Sequence, residues 1–280
     1  MTAARQCQLL LTCEHASNAV PAALRRCFDG KRAVLRSHRG YDIGALAVAQ
    51  RMARVLHAPL LAGGITRLLV DLNRSARHRQ VHSEFADSLA APARAALIEQ
   101  WHTPFRAAAW AALQRLAAVG PVLHVSVHSF TPVWQGEARN CDIGLLYDPQ
   151  RHGEQPLACA LARALQAQEE LRADDDGLRA QTGVRLHKAA VAARAVARGT
   201  RPNARALAAR TAALPALRVR MNYPYRGNAD GHTTSLRRML PDARYLGIEI
   251  ELNQALLQRD NMRRAIADRL ITALQGVVAQ

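Results

Sequence analysis

Residues 122–130, Val-Leu-His-Val-Ser-Val-His-Ser-Phe, form an apolar run of strand type that ends on His128 and Ser129 before Pro132 breaks the pattern. In an open α/β sheet, groups just past the carboxyl end of a central strand face the crevice where ligands bind. His128 therefore sits where chemistry would sit. Gln8–Cys13 reads as a second buried strand, continuous in apolar character because a parallel sheet is covered on both faces.

The remaining segments alternate between the two periodicities. Asp42–His57 carries apolar residues at helical spacing with Asp42 at or near the N-cap, and Pro59–Ala62 and Thr66–Val70 are short extended runs separated by Gly63-Gly64. Residues 92–118 are Ala-rich and periodic. Thr103-Pro104 divides them into two helices, since a proline is tolerated in the first turn of a helix. Asp142–Tyr147, Leu217–Met221 and Arg244–Leu252 are further strands, and 154–172 and 259–279 further helices. This alternation is the α/β signature. A single domain over 1–280 is expected, with residues 174–215 the place where a helical insertion or lid could lie.

A formal net charge of +16 raises the question of nucleic acid. The arginines are scattered along 94–115 and 163–210 between alanines, with no aromatic RNA-binding signature and no helix-turn-helix pattern beside them. They read as solvated helix faces that also attract anionic substrates. The five cysteines are odd in number and lack a CxxC spacing, which fits reduced thiols in a cytoplasmic protein. No stretch approaches the roughly 18–20 apolar residues of a membrane span, and Glu14 and His15 interrupt the N-terminal run where a signal peptide needs small uncharged residues.

Polar groups recur at the ends of the expected strands: His15, Asp71-Leu-Asn73-Arg74, His128, Asn222 and Glu251. Each alone has a structural explanation. Together they would fall on one edge of one sheet, which independent structural residues need not do. Two neutral imidazoles and a carboxylate make a three-ligand zinc shell with a position open to water, and a further carboxylate can serve as general base. His15, His128 and a nearby Asp or Glu could form that shell, with Glu251 as the base. Glu249 and Glu251 lie two apart on one strand and so share a face.

Several stretches together carry a resemblance: Leu11-Thr-Cys-Glu-His15-Ala-Ser-Asn-Ala-Val-Pro21, Tyr41-Asp-Ile-Gly44, Thr66-Arg67-Leu-Leu-Val-Asp71-Leu-Asn-Arg74, Val127-His128-Ser129, Asn222-Tyr-Pro-Tyr-Arg-Gly227 with Asp230-Gly-His-Thr233, and Gly247-Ile-Glu-Ile-Glu251-Leu-Asn253. In this order the chain resembles the N-formylglutamate amidohydrolase family. The resemblance implies the zinc-carboxypeptidase and aspartoacylase fold: a mixed, mostly parallel sheet with helices on both faces. It also implies zinc-dependent hydrolysis of the amide bond of N-formylglutamate or a related N-acyl amino acid. His15 and His128 look like the histidine ligands and Glu251 like the general base. Arg67 resembles the arginine that steadies the oxyanion, and Asn73 and Arg74 the pair that holds the substrate carboxylate. Asn222 and Arg226 are expected to join the substrate site. The carboxypeptidase pattern has a Glu three residues after the first histidine, but here that position is Asn18, a poor zinc ligand. Asp42 is the expected third ligand and Glu14 the alternative. The competing reading is a non-catalytic basic module on the same scaffold, binding nucleic acid or an acidic partner. A pure binder has no need of a base beside a metal shell, so Glu251 together with His15 and His128 argues against it.

Overall fold

The computed structural model describes residues 7–166 and 216–278. Its centre is a six-stranded sheet built from β1 (Gln8–Cys13), β2 (Leu60–Ala62), β3 (Val122–Phe130), β6 (Ile143–Leu146), β7 (Val219–Met221) and β8 (Tyr245–Asn253), in the order β2-β1-β3-β8-β6-β7. β2, β1, β3 and β8 run parallel, whereas β6 meets β8 antiparallel and pairs in parallel with β7. The sheet is therefore mixed and mostly parallel, as expected. β4 (Val133–Trp134) and β5 (Glu137–Ala138) form a separate hairpin between β3 and β6.

The two faces of the sheet differ in chemistry. Leu11 and Cys13 of β1, Leu123, Val125 and Val127 of β3, and Ile248, Ile250 and Leu252 of β8 point one way. They pack with the helix Ala45–Leu56, helical residues 154–166 and the helix Asp260–Val278 in one apolar core. The alternate positions point the other way. Leu10, Val122 and Tyr245 pack there with the helix Thr103–Val119 and with Leu236 of the short helix His232–Arg237. Further along the strands, the same face carries Thr12, His124, Ser126, His128, Glu249 and Glu251, all buried. β3 is thus the buried central strand that its apolar run predicts, with one of its two buried faces polar.

Several local expectations are corrected. Thr66–Val70 is a turn, in which Thr66 Oγ1 donates to the Gly40 carbonyl (2.9 Å) and Leu69 N to the Thr66 carbonyl (3.1 Å). The helix expected from Asp42 begins at Ala45 with Gly44 as its N-cap at φ 84°, so the Asp42 carboxylate is released from capping. The two helices divided at Thr103-Pro104 are joined without a break through a π turn, Ile98–His102. The expected lid at 174–215 lies outside the described residues. No helix among those described is long and apolar enough to cross a membrane.

A buried ion pair ties the polar face to the helix layer. Glu154 Oε1 accepts from Arg237 Nε (2.9 Å) and from the Gly247 amide (2.9 Å), and Arg237 also donates to the carbonyls of Gly227 and Gly247. Both residues are buried. Glu154→Ala would strand the guanidinium without a countercharge, and the expected cost is about 3–5 kcal/mol. A denaturation midpoint equal to that of the wild type would show that water or another carboxylate takes its place.

Candidate active site

β1 ends at Cys13, so Glu14 and His15 lie just past its carboxyl end, while His128 stands near the corresponding end of β3. The chain turns tightly here. Gly63 N donates to the Cys13 carbonyl (2.9 Å), and a Cβ on Gly63 would fall 2.0 Å from the Glu14 carbonyl oxygen, an approach open only to glycine. Asp42 N donates to the His15 carbonyl (2.9 Å), which brings the Asp42 side chain beside both histidines.

Asp42 Oδ2 lies 2.8 Å from His128 Nδ1 and 3.4 Å from His15 Nδ1. One ligand atom from each of His15, Asp42 and His128 falls within 4.8 Å of the other two, and all three residues are buried. Each imidazole is held from behind by its other nitrogen. His15 Nε2 contacts Asp71 Oδ1 (2.7 Å), and His128 Nε2 contacts Ser126 Oγ (2.9 Å), whose hydroxyl donates to Glu14 Oε2 (2.6 Å). Carboxylates behind imidazoles in this way fix the ring orientation and leave the inner nitrogen for a metal. His15 Nδ1 is buried and makes no hydrogen bond. An orphaned imidazole nitrogen beside a carboxylate and a second histidine suits a metal ion of the kind that N/O donors bind.

The electrostatics follow from this crowding. Burial opposes charge on His128, but Asp42 and Glu14 outweigh it and hold the imidazole well above its ordinary range. His15 is raised as well: burial and Arg67 oppose its charge, and Asp71 and Asp42 overcome them. Burial alone would push Glu14 and Asp71 upward, yet both are held well below the usual carboxylate range. Hydrogen bonds from His128 and His232 do this for Glu14, and His15 and Arg67 for Asp71. Glu251 behaves in the opposite way. Burial, reinforced by the charges of Asp42 and Glu249, pushes it up to about 7. Its Oε2 is buried and unpaired. It pairs directly with His128 in the register of β3 and β8.

The other expected residues occupy different depths. Arg67 reaches Asp71 Oδ2 (2.9 Å) and Asp42 Oδ1 (3.5 Å) and stays partly exposed. Arg74 Nη1 donates to the Asp230 carbonyl (3.2 Å), and Arg74 lines a cavity of about 330 Å³ with Arg39, Arg67, Asp71, Gln80 and His82. Asn73 Oδ1 accepts from the His232 amide (2.7 Å), and Asn222 Oδ1 accepts from the amides of Tyr147 and Gly227 (3.0 Å each). Those two oxygens therefore shape loops. Arg226 is exposed on the loop after β7. Glu14, the alternative third ligand, has both oxygens turned away from the His15–Asp42 side, towards Ser126 and His232. Sequence reasoning missed Ser126, His232 and the backing role of Asp71. The signal for Ser126 was the period-two placement of His124, Ser126 and His128 along β3.

Comparisons with known proteins place this arrangement. Over 99% of its length the chain is similar to the crystal structure of a gene product from Agrobacterium tumefaciens (26% identity, 92% of that chain, TM-score 0.67). Over 98% it shares the fold of the N-formylglutamate amidohydrolase structure from Ralstonia eutropha (15% identity, 94% of that chain, TM-score 0.57). No curated protein matches significantly. The sequence model of N-formylglutamate amidohydrolase matches residues 7–184, more than half of the 280. With His15, Asp42 and His128 all inside that span, the chain belongs to the N-formylglutamate amidohydrolase family.

Proposed function

We propose that this protein is a zinc-dependent amidohydrolase that cleaves the amide bond of N-formylglutamate or a related N-acyl amino acid. The observation that carries the reading is the buried His15, Asp42 and His128 group with Glu251, whose buried Oε2 has no partner, directly opposite His128 on the neighbouring strand. His15, Asp42 and His128 would hold the ion, whose contribution when bound is a water of lowered pKa and a polarised amide carbonyl.

The remaining work falls to the chain itself. Glu251 accepts a proton from the attacking water and returns it to the leaving nitrogen as the C–N bond breaks, so that amide and water become carboxylic acid and amine. Burial holds this carboxyl above the usual carboxylate range, which suits a group that must both take and return a proton. Arg67, anchored on Asp71 and Asp42, offers its remaining N–H groups to the carbonyl oxygen as charge grows there. Arg74 receives the substrate carboxylate, for which its planar fork is suited. Arg226 adds positive charge on the loop after β7, while Asn73 and Asn222 hold the loops in place. The thiols of the five free cysteines fit a cytoplasmic protein.

The test is a panel of N-formyl, N-acetyl and N-succinyl amino acids with added zinc, scored by amine release. Zinc-dependent release from at least one member is expected. A protein that binds no zinc and releases no amine from any of them is not this enzyme. Arg74→Lys keeps the charge and loses the paired hydrogen bonds, so KM should rise about tenfold while zinc content stays normal. A wild-type KM in that variant would move the carboxylate to Arg226.

A further inference from the structure

His232, the first residue of the helix His232–Arg237, is buried and lies outside the metal group. Its Nδ1 is 2.8 Å from Glu14 Oε1. A carboxylate oxygen only accepts, so Nδ1 carries the hydrogen and Nε2 the lone pair. That Nε2 is buried and makes no hydrogen bond among the described residues. Two rings pack against the imidazole, Phe105 at 5.6 Å between centroids and His124 edge-on at 5.8 Å. His124 has no nitrogen to spare for it, because Nε2 meets Thr12 Oγ1 (2.8 Å) and Nδ1 meets Tyr245 Oη (2.7 Å). Burial, helped by Arg106 and His102, outweighs Glu14 and keeps His232 below the ordinary imidazole range. A buried polar atom is seldom left without a partner. Here the ring forgoes one in order to point its other nitrogen at Glu14.

The direction of each bond beyond Glu14 follows. Oε1 takes the hydrogen of His232, which leaves Oε2 to take that of Ser126 (2.6 Å). With its single hydrogen spent, Ser126 Oγ accepts from His128 Nε2 (2.9 Å). His128 therefore keeps a hydrogen on Nε2 and has Nδ1 on the Asp42 side, 2.8 Å from Oδ2. Reversing the Ser126 hydroxyl would set its lone pairs against those of the Glu14 carboxylate. The segment that bears His232 is itself fixed, since its amide donates to Asn73 Oδ1 (2.7 Å) and Asp230 Oδ2 accepts from Ser75 N (2.9 Å).

We propose that His232 is a positioning residue, acting through Glu14 and Ser126 to keep the His128 ring presenting Nδ1 to the metal. This rests on the metal group of the amidohydrolase reading and adds to it a residue that is not a ligand of that group. Without the donor at position 232, Glu14 Oε1 loses its anchor and the carboxylate is free to turn. Ser126 can then give its hydrogen to His128 Nε2, which moves the ring hydrogen to Nδ1, the nitrogen that the metal needs.

The experiment is chelator competition for zinc on the full chain, comparing wild type with His232→Leu and His232→Asn. Leucine keeps bulk and removes the donor, whereas the asparagine amide can place an N–H near the position of Nδ1. His232→Leu should weaken zinc binding about tenfold, the lower end of what an outer partner contributes, and His232→Asn should stay within about threefold of wild type. With Glu14 already gone the route is cut, so adding His232→Leu to Glu14→Ala should cost less than about twofold more. A ring that only fills space would lower the melting temperature and leave zinc affinity unchanged. That result overturns the proposal, as does an equal loss in the Leu and Asn variants or a fully additive loss in the double variant. Nitrogen-15 NMR of the histidine rings in the zinc-loaded protein gives a second reading. His128 should carry its hydrogen on Nε2 in wild type and show a mixture of forms in His232→Leu. Should His232→Leu fail to fold, the wild-type spectrum decides, because a hydrogen on His128 Nδ1 or on His232 Nε2 overturns the assignment. A wild type that binds no zinc brings down the amidohydrolase reading together with this one, while zinc binding that is indifferent to position 232 brings down this one alone.

Discussion

Glu251→Gln should lower turnover by about 10²–10⁴-fold at neutral pH, the usual contribution of a positioned general base. The amide keeps the size and position of the side chain, so zinc content and melting temperature should stay close to wild type. The acid limb of the wild-type pH profile should belong to this group. In the metal-free protein burial pushes it up to about 7, and a neighbouring cation favours the carboxylate, so in the loaded enzyme the limb falls below 7. Activity therefore rises with pH as the carboxyl loses its proton. If Glu251→Gln turns over normally and Glu249→Gln does not, the two carboxylates exchange roles. Glu249 already receives the Thr233 hydroxyl, which ties it to the helix layer.

The second large effect concerns the metal group. His15→Ala and His128→Ala should each weaken zinc affinity by more than about 100-fold, beyond the 10–100-fold cost of losing a supporting partner. Glu14→Gln, which weakens the support behind His128, should stay inside that 10–100-fold interval. A chelator competition reads all three without any substrate. Because Asp42, Glu14 and Asp71 raise both imidazoles, the metal-free protein keeps protons there that the ion must displace. Affinity should therefore climb as pH rises through those raised values, and full occupancy at low pH would contradict the ligand assignment. Stoichiometric zinc in His15→Ala or His128→Ala would remove that residue from the group.

Much of this was legible in the order of the residues. Gln8–Cys13, Val122–Phe130 and the strand around Ile248–Leu252 lie where their apolar character puts them, because burial on two faces leaves few alternatives for such runs. The motifs at their ends converge for the same reason. Other features were hidden by their dependence on distant partners. Thr66–Val70 has the composition of a strand, yet it hydrogen-bonds to Gly40 and Ala19 and turns so that Arg67 and Asp71 face the histidines. Asp42 has the composition and place of a helix cap, but Gly44 in the left-handed region starts the helix two residues later. His232 joins Glu14 across 218 residues of chain (2.8 Å), a contact that no local spacing announces.

The register of β3 against β8 places His128 opposite Glu251 and Ser126 opposite Glu249. Neighbouring strands are about 4.8 Å apart, so the separation between the proposed ligand and the proposed base is a property of the backbone ladder. Arg74 and Arg226, by contrast, both lie on connections between elements. Insertions, deletions and substitutions can accumulate on those connections without altering a spacing written into the sheet. A lineage built on this scaffold can therefore change the molecules it accepts while inheriting its reaction unaltered. The drift would be visible in descendants as variable hairpins and loops around two strands whose polar face hardly changes.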